Sequence, residues 1–387
     1  MPTQSTDISG NPAIAYTANG QKWKILKKVD VDSATYGVYS VYTDSVLQNK
    51  GSVHGNSVAV YFQGSGVASD YVIVNQKSGE LEGEYGIAIT TFLGSASIVN
   101  KGSVDGSSYG AVVQGQATVK VDNSGELEGG QYGLVVTASK FNLDNTGDIE
   151  SSSYGVIFQA AASGDDAKIK NGGKIEGGLY ALIMQTDGDV KINNLKGGVI
   201  EGDQVSIYSV GETIIKNAGK IEGIIITSNF EDKVVNKKKI DGDVILSGGD
   251  DVFKNKDKGK VDGAIAGGDG NDKIVLGAKA EEILFDTALN AATNVDRVKH
   301  FTSGKDVLLL DDDIFSTLMP GDLPASAFVK GTAAVDADDR IIYDKKTGSL
   351  YYDADGSGAG AQVKFAQLDK NTKLKASDFD VGDFIVI

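Results

Sequence analysis

The residues with the clearest chemistry occupy nine positions, GGDGNDKIV, from Gly267 to Val275. They follow the pattern G-G-x-G-x-D-x-Φ-x, where Φ is apolar. Gly267, Gly268 and Gly270 permit a tight loop whose carbonyls turn inward. Asp269, Asn271 and Asp272 add side-chain oxygens. Such a loop suits a hard cation, above all Ca2+, which takes six to eight oxygen ligands. One turn cannot supply that number, so turns of this kind are expected to work in stacked pairs. A partner, SGGDDVF, carries Gly248, Gly249, Asp250 and Asp251, 19 residues upstream from glycine to glycine. That spacing is one short coil and predicts that the two Gly-Gly turns lie one above the other. The upstream copy lacks the internal Gly-Asn, which predicts a shortened loop. The plain alternative for both is a glycine bend.

A second oxygen-rich loop is DADGSG, with Asp353 and Asp355 at alternate positions. It lacks the downstream bidentate Glu of an EF-hand, and a calcium site and a hairpin turn both remain open for it. The run Asp311 to Asp313 is expected to be a solvated turn. Catalytic constellations are sparse. The chain has no cysteine, so thiol catalysis, thiolate metal sites and disulfides are excluded. Its two histidines, His54 and His300, and its two arginines, Arg297 and Arg340, are scattered. No H-E-x-x-H and no nucleophile elbow occurs. The expectation is a protein that is not an enzyme.

The element that must position the glycine turns is a repeat. Its core, N-x-G-x-Φ-acid-G, starts at Asn49, Asn100, Asn123, Asn145, Asn171 and Asn217, with looser copies at Asn75, Asn194, Asn236 and Asn255. Each unit adds an apolar segment such as YGIAI at Tyr85 or YGLVV at Tyr132, and a third short segment leads into the Asn. Three short strands per unit, rich in Val, Ile and Tyr and separated by glycine bends, predict an all-β chain built as a right-handed parallel β-helix. Stacked coils lie about 4.8 Å apart, so the recurring Asn would form a ladder along the stack.

The residues flanking the apolar position point outward together, because they are two apart on a strand. They are acidic early on (Glu80 and Glu82, Asp105, Glu126 and Glu128, Asp148 and Glu150) and mixed with lysine later (Lys174, Lys220, Lys239, Lys260). His54 falls at one of these outward positions. Stacked like charges repel, so the early edge is expected either to be a screened, hydrated face or to meet cations. The formal net charge of −16 argues against a nucleic-acid partner. No apolar run is long enough to span a bilayer, and MPTQSTDISG has neither the basic nor the apolar region of a secretory signal.

From about residue 240 onward the chain resembles the RTX, or hemolysin-type calcium-binding, proteins exported by type I secretion. The resemblance rests on GGDGNDKIV, on the segment from Asp339 to Leu368, and on the ending DFIVI, an acidic residue before an apolar tail. It implies Ca2+ as the bound ion, an ABC exporter as a transient partner, and an extracellular location. The family typically carries many nonapeptides; this chain has one full and one partial copy.

The expected organisation is an N-terminal cap over residues 1–32, β-helix repeats over 33–265, an RTX-like turn with the last coils over 266–290, and a β-rich secretion domain over 291–387. The expected role is a secreted, calcium-binding structural protein that assembles with itself in a surface layer, filament or matrix. Alternatives are an adhesin or polysaccharide-binding protein and, less favoured, a polysaccharide lyase or epimerase.

Overall fold

The computed structural model describes residues 1–64, 66–256 and 258–384. The chain is all-β, with about 13 turns of parallel β-solenoid over residues 3–310 and antiparallel strands towards the C-terminus. Among the described residues there is no α-helix, and no helix is long and apolar enough to cross a membrane. The apolar tail of DFIVI, residues 385–387, lies outside the described residues. The chain divides into two compact units, Met1–Gly211 with Gly219–Gly223, and Glu212–Ala218 with Ile224–Ile387.

In the first unit, solenoid pairing begins at Thr3, whose strand runs parallel to Lys22–Ile25. Each coil then presents three strand segments. The first leads into the Asn, as in Tyr71–Asn75, Ala96–Asn100, Thr118–Asn123, Lys140–Asn145 and Asp166–Asn171. Parallel pairing brings each Asn over the next, from Asn49 through Asn75, Asn100, Asn123, Asn145 and Asn171 to Asn194. Every one of these side chains is buried. Each Nδ2 donates to the next Oδ1 at 2.8–3.1 Å, and also to a backbone carbonyl of the following coil, as Asn123 Nδ2 does to Asp148 O at 3.0 Å. The amide thus satisfies polar groups that the bend would otherwise leave buried and unpaired.

The second segment carries the outward acids: Glu80 and Glu82 are exposed while Leu81 between them is buried. Register stacks Glu82 on His54 and Asp105, Asp105 on Glu128, and Glu128 on Glu150. Lysine enters as expected, with Lys174 Nζ 3.3 Å from Glu150 and also paired with Glu176. His54 is an outward residue, its Nδ1 2.8 Å from Asp32. The third segment buries alternate apolar residues, such as Leu134 and Val136, and turns Tyr132 and Val135 outward. In four coils of this unit the second and third segments fuse into one long strand, for example Ser103–Gln114, where three separate strands were expected. The glycine bend is shallow enough there for the ladder to continue through a register shift, as after Gly83.

In the second unit the coil shortens to 19 residues between Asn217, Asn236 and Asn255, which continue the same amide pairing at 2.9 and 2.8 Å. The first-segment strands are Thr213–Asn217, Lys233–Asn236, Val252–Asn255, Lys273–Val275 and Asp296–Lys299. Beyond them, Ile341–Asp344, Ser349–Tyr352 and Val363–Gln367 form an antiparallel meander, and Val363–Gln367 also pairs parallel with Asp296–Lys299. Phe315 packs edge-on against Tyr352 and Phe365 at 5.1 and 5.2 Å, closing the core at this end.

Candidate metal centre

The glycine turns stand at the mouth of a column of buried aspartates, all in the second unit. Counting back four positions from the ladder residues Asn75 to Asn194, the first unit places Tyr71, Ala96, Val119, Phe141, Ala167 and Val190 there, all buried and hydrophobic, with a buried Ser45 before Asn49. In the second unit the same position is a buried Thr213 before Asn217, then Asp232 before Asn236 and Asp251 before Asn255. Strand register extends that column to Asp272 and Asp296. The four aspartates are 1–3% exposed.

Each carboxylate is anchored by the preceding coil. Thr213 N donates to Asp232 Oδ1 at 2.6 Å, Asp232 N to Asp251 Oδ1 at 2.6 Å, Asp251 N to Asp272 Oδ1 at 2.8 Å, and Asp272 N to Asp296 Oδ1 at 3.1 Å. The second oxygens of Asp251 and Asp272 are buried without a hydrogen-bond partner. Burying a carboxylate disfavours its charged form unless a proton or a cation compensates. Burial pushes Asp251 up to about 8, with Asp272, Asp232 and Asp250 adding repulsion. Burial likewise raises Asp232, Asp272 and Asp296 above the usual carboxylate range.

The turns fold around this column through left-handed backbone. Gly249, Gly268 and Gly270 have φ of 114°, 91° and 138°, where a side chain would be strained. A Cβ at Gly267 would collide with Asp272 Oδ2, so the missing side chain leaves room for that oxygen. The pairing corrects the expected stacking of the two turns. Gly248 bridges to Asp269, Gly249 N donates to Asp269 O at 2.9 Å, and Asp269 N to Ser247 O at 2.8 Å. The Gly-Gly pairs are therefore offset by two residues. Asp251 lies over Asp272, and Asp250 Oδ1 accepts Asn271 N at 2.9 Å. Nor is the upstream loop shortened at this point, because Ser247 takes the left-handed conformation, φ 71°, and stands opposite Gly268.

These residues fit a hard cation in part. Asp251 and Asp272 would hold it through their unpartnered oxygens, and turn carbonyls and water would complete the shell. Among the described residues no three His, Cys, Asp or Glu side chains converge as a metal cluster. One nearby carbonyl, that of Gly268, already accepts Thr287 Oγ1 at 2.9 Å.

A second acid ends the amide ladder of this unit. Glu281 accepts Asn255 Nδ2 and, at 2.7 Å, Gly277 N, and burial pushes it up to about 7. Its own N–H donates to Asp306 Oδ1 at 3.2 Å.

The loop with Asp353 and Asp355 joins Ser349–Tyr352 to Val363–Gln367; it is remote from the glycine turns in sequence, although Val363–Gln367 pairs with the strand of Asp296. Asp355 Oδ2 accepts Gly360 N at 2.9 Å, and Asp355 N donates to Asp353 Oδ1 at 3.3 Å. Those bonds do the work of a turn. Asp311, expected in a solvated turn, ends the strand Val307–Asp311, where it is buried and accepts Asp313 N at 3.0 Å.

Asp232 and Asp296 were not singled out by sequence, because SNFED and TNVDR contain no glycine. A signal did exist: D-x-Φ-x-N recurs at Asp232 and Asp251, in the frame of the Asn repeat. No protein-family model and no curated protein matches this chain.

Proposed function

We propose that this chain is a secreted structural protein whose second unit folds tightly only when Ca2+ occupies the aspartate column, and which then assembles with further copies of itself at the cell surface. The observation that carries this reading is the exchange of a buried apolar column for buried aspartates, two of them with an unpartnered oxygen. Four stacked carboxylates without a counter-ion oppose folding; a cation bound to the folded state alone would stabilise it with the logarithm of its free concentration. The RTX-like turn is the part of the fold that would respond. Free Ca2+ is scarce inside cells, so the unit would stay loose during export through a type I ABC exporter and tighten outside.

The self-assembly part of the reading is supported by the repetitive strands and by the stacked acidic edge of Glu82, Asp105, Glu128 and Glu150, a face whose repulsion Ca2+ would relieve. Its test is light scattering of the purified protein in chelator and then in about millimolar Ca2+, the range of extracellular calcium modules. Growth to large particles that chelator disperses supports assembly. A monomer in both conditions removes it.

A further inference from the structure

The outward face of the third strand segments in the first unit is organised as three columns. Tyr85, Tyr109, Tyr132, Tyr154 and Tyr180 form the first, in register and stacked with ring centroids 4.7–5.9 Å apart. Ala88, Val112, Val135 and Ile157 form the second, which ends at a buried Ile183. Thr90, Gln114, Thr137, Gln159 and Gln185 form the third, a row of hydroxyls and amides. Stacked tyrosines cover each other's faces, so along most of this row only ring edges are available.

The row is broken once. Towards the N-terminus, the residue in register between Tyr36 and Tyr85 is Val58, not tyrosine. Tyr36 instead turns to Tyr39 and Tyr61, with centroids 5.3 Å away in both cases. Tyr85 stacks on Tyr109, and a groove of about 520 Å³ opens at the break and runs past both rings as far as Val135. Tyr36, Tyr61 and Tyr85 wall this groove, Val58 and Ala88 line it, and Thr90 and Gln114 supply hydrogen-bonding groups along its edge. None of its described lining residues is Asp, Glu, Lys or Arg, although the chain as a whole carries a formal charge of −16.

We propose that this break in the tyrosine row is a binding groove for a neutral polysaccharide. The chemistry matches on each side. Aromatic and aliphatic surface suits the apolar C–H face of a sugar ring. Thr90 and Gln114 suit its hydroxyls, and the columns beyond them offer the same two surfaces coil after coil to a chain lying along the stack. An uncharged groove in an acidic protein selects against acidic glycans, which the surrounding field repels. The groove lies within the first unit and is independent of the calcium reading.

The test is affinity electrophoresis of the full chain in native gels containing dextran, galactomannan, mixed-linkage β-glucan or, as the anionic control, alginate. The proposal expects retardation by at least one neutral polysaccharide. Val58→Tyr, which fills the break, and Tyr85→Ala, which removes a wall, should each weaken it by at least tenfold while thermal unfolding shows both variants folded. Three gel results would each overturn the proposal. One is the absence of retardation in every neutral gel. Another is retardation by alginate alone. The last is retardation that both folded variants retain. If Val58→Tyr abolishes self-association and leaves sugar binding intact, the groove is a contact between copies and the proposal also fails.

Discussion

Asp251 donates its backbone N–H to Asp272 Oδ1 at 2.8 Å while the other oxygen of each carboxylate is buried without a partner. This bond orients the Asp272 carboxylate as the Asp232 N–H orients that of Asp251, and one oxygen per residue is left for a proton or a cation. Which of the two is present decides how the second unit responds to its surroundings.

Without metal, the proton must fill that role. Burial raises Asp251 to about 8 and raises Asp272 as well, against an ordinary carboxylate value near 4. For a raised carboxyl the stabilising state is the protonated one. Its contribution is complete below the unfolded value and is lost as pH rises through the folded value. The charged groups of the column and its turns are Asp232, Asp250, Asp269 and Asp296, all of one sign, so none reverses this direction. Thermal unfolding in chelator should therefore show a falling melting temperature between about pH 4 and pH 8. Asp251→Asn should flatten the fall. A melting temperature that rises across this window would contradict the account.

The amide ladder is a separate source of stability. Replacing Asn145 with Ala removes the side-chain acceptor of one Asn123 Nδ2 N–H, whose bond to Asp148 O remains, and leaves Asn171 Oδ1 without its donor, both buried. Each unmet group costs about 1–3 kcal/mol. Glu150→Ala on the same coil removes only an exposed ion pair and should cost less than about 1 kcal/mol. Denaturant unfolding of the two variants should separate them clearly, and equal stabilities would show that the ladder contributes little.

The ladder and the outward acids were legible in the sequence because both follow from one repeat read on a strand of period two. The exposed Glu80 and Glu82 around buried Leu81 show the rule at work. The metal column was only half legible. Asp251 and Asp272 stood beside glycines, whereas Asp232 and Asp296 joined them through backbone register alone. Register also overruled the likeness of the two Gly-Gly pairs, because strand pairing fixes which residues meet and Ser247 could take the turn conformation opposite Gly268. The break in the tyrosine row at Val58 was hidden for a similar reason: its coil reaches the same position through a shifted register.

The stacked acids of the first unit should make its stability depend on salt. Glu82, Asp105 and Glu128 lie in consecutive coils and repel one another. Replacing Glu80, Glu82, Glu126 and Glu128 with Gln should raise the melting temperature at low ionic strength and shrink its increase with added salt. In calcium, the same variant should form smaller or fewer particles in light scattering. Unchanged salt dependence and unchanged particle growth would assign the edge no role beyond solvation.

Gly270 tests the turn itself. Its φ of 138° and the closeness of Gly249 O leave no room for a Cβ. Gly270→Ala should destabilise the second unit by more than about 1 kcal/mol, and hydrogen exchange should place the loss in the strands around Asp251 and Asp272. Protection equal to the parent protein would mean that the turn can relax at little cost.

The most direct measurement is calorimetric unfolding near pH 8 at a series of free Ca2+ concentrations, for the parent chain and for Asp272→Ala. The account predicts that the melting temperature of the parent climbs steadily with the logarithm of Ca2+ and that the variant loses most of this climb. Curves that coincide in chelator and in millimolar Ca2+ for the parent chain would contradict it.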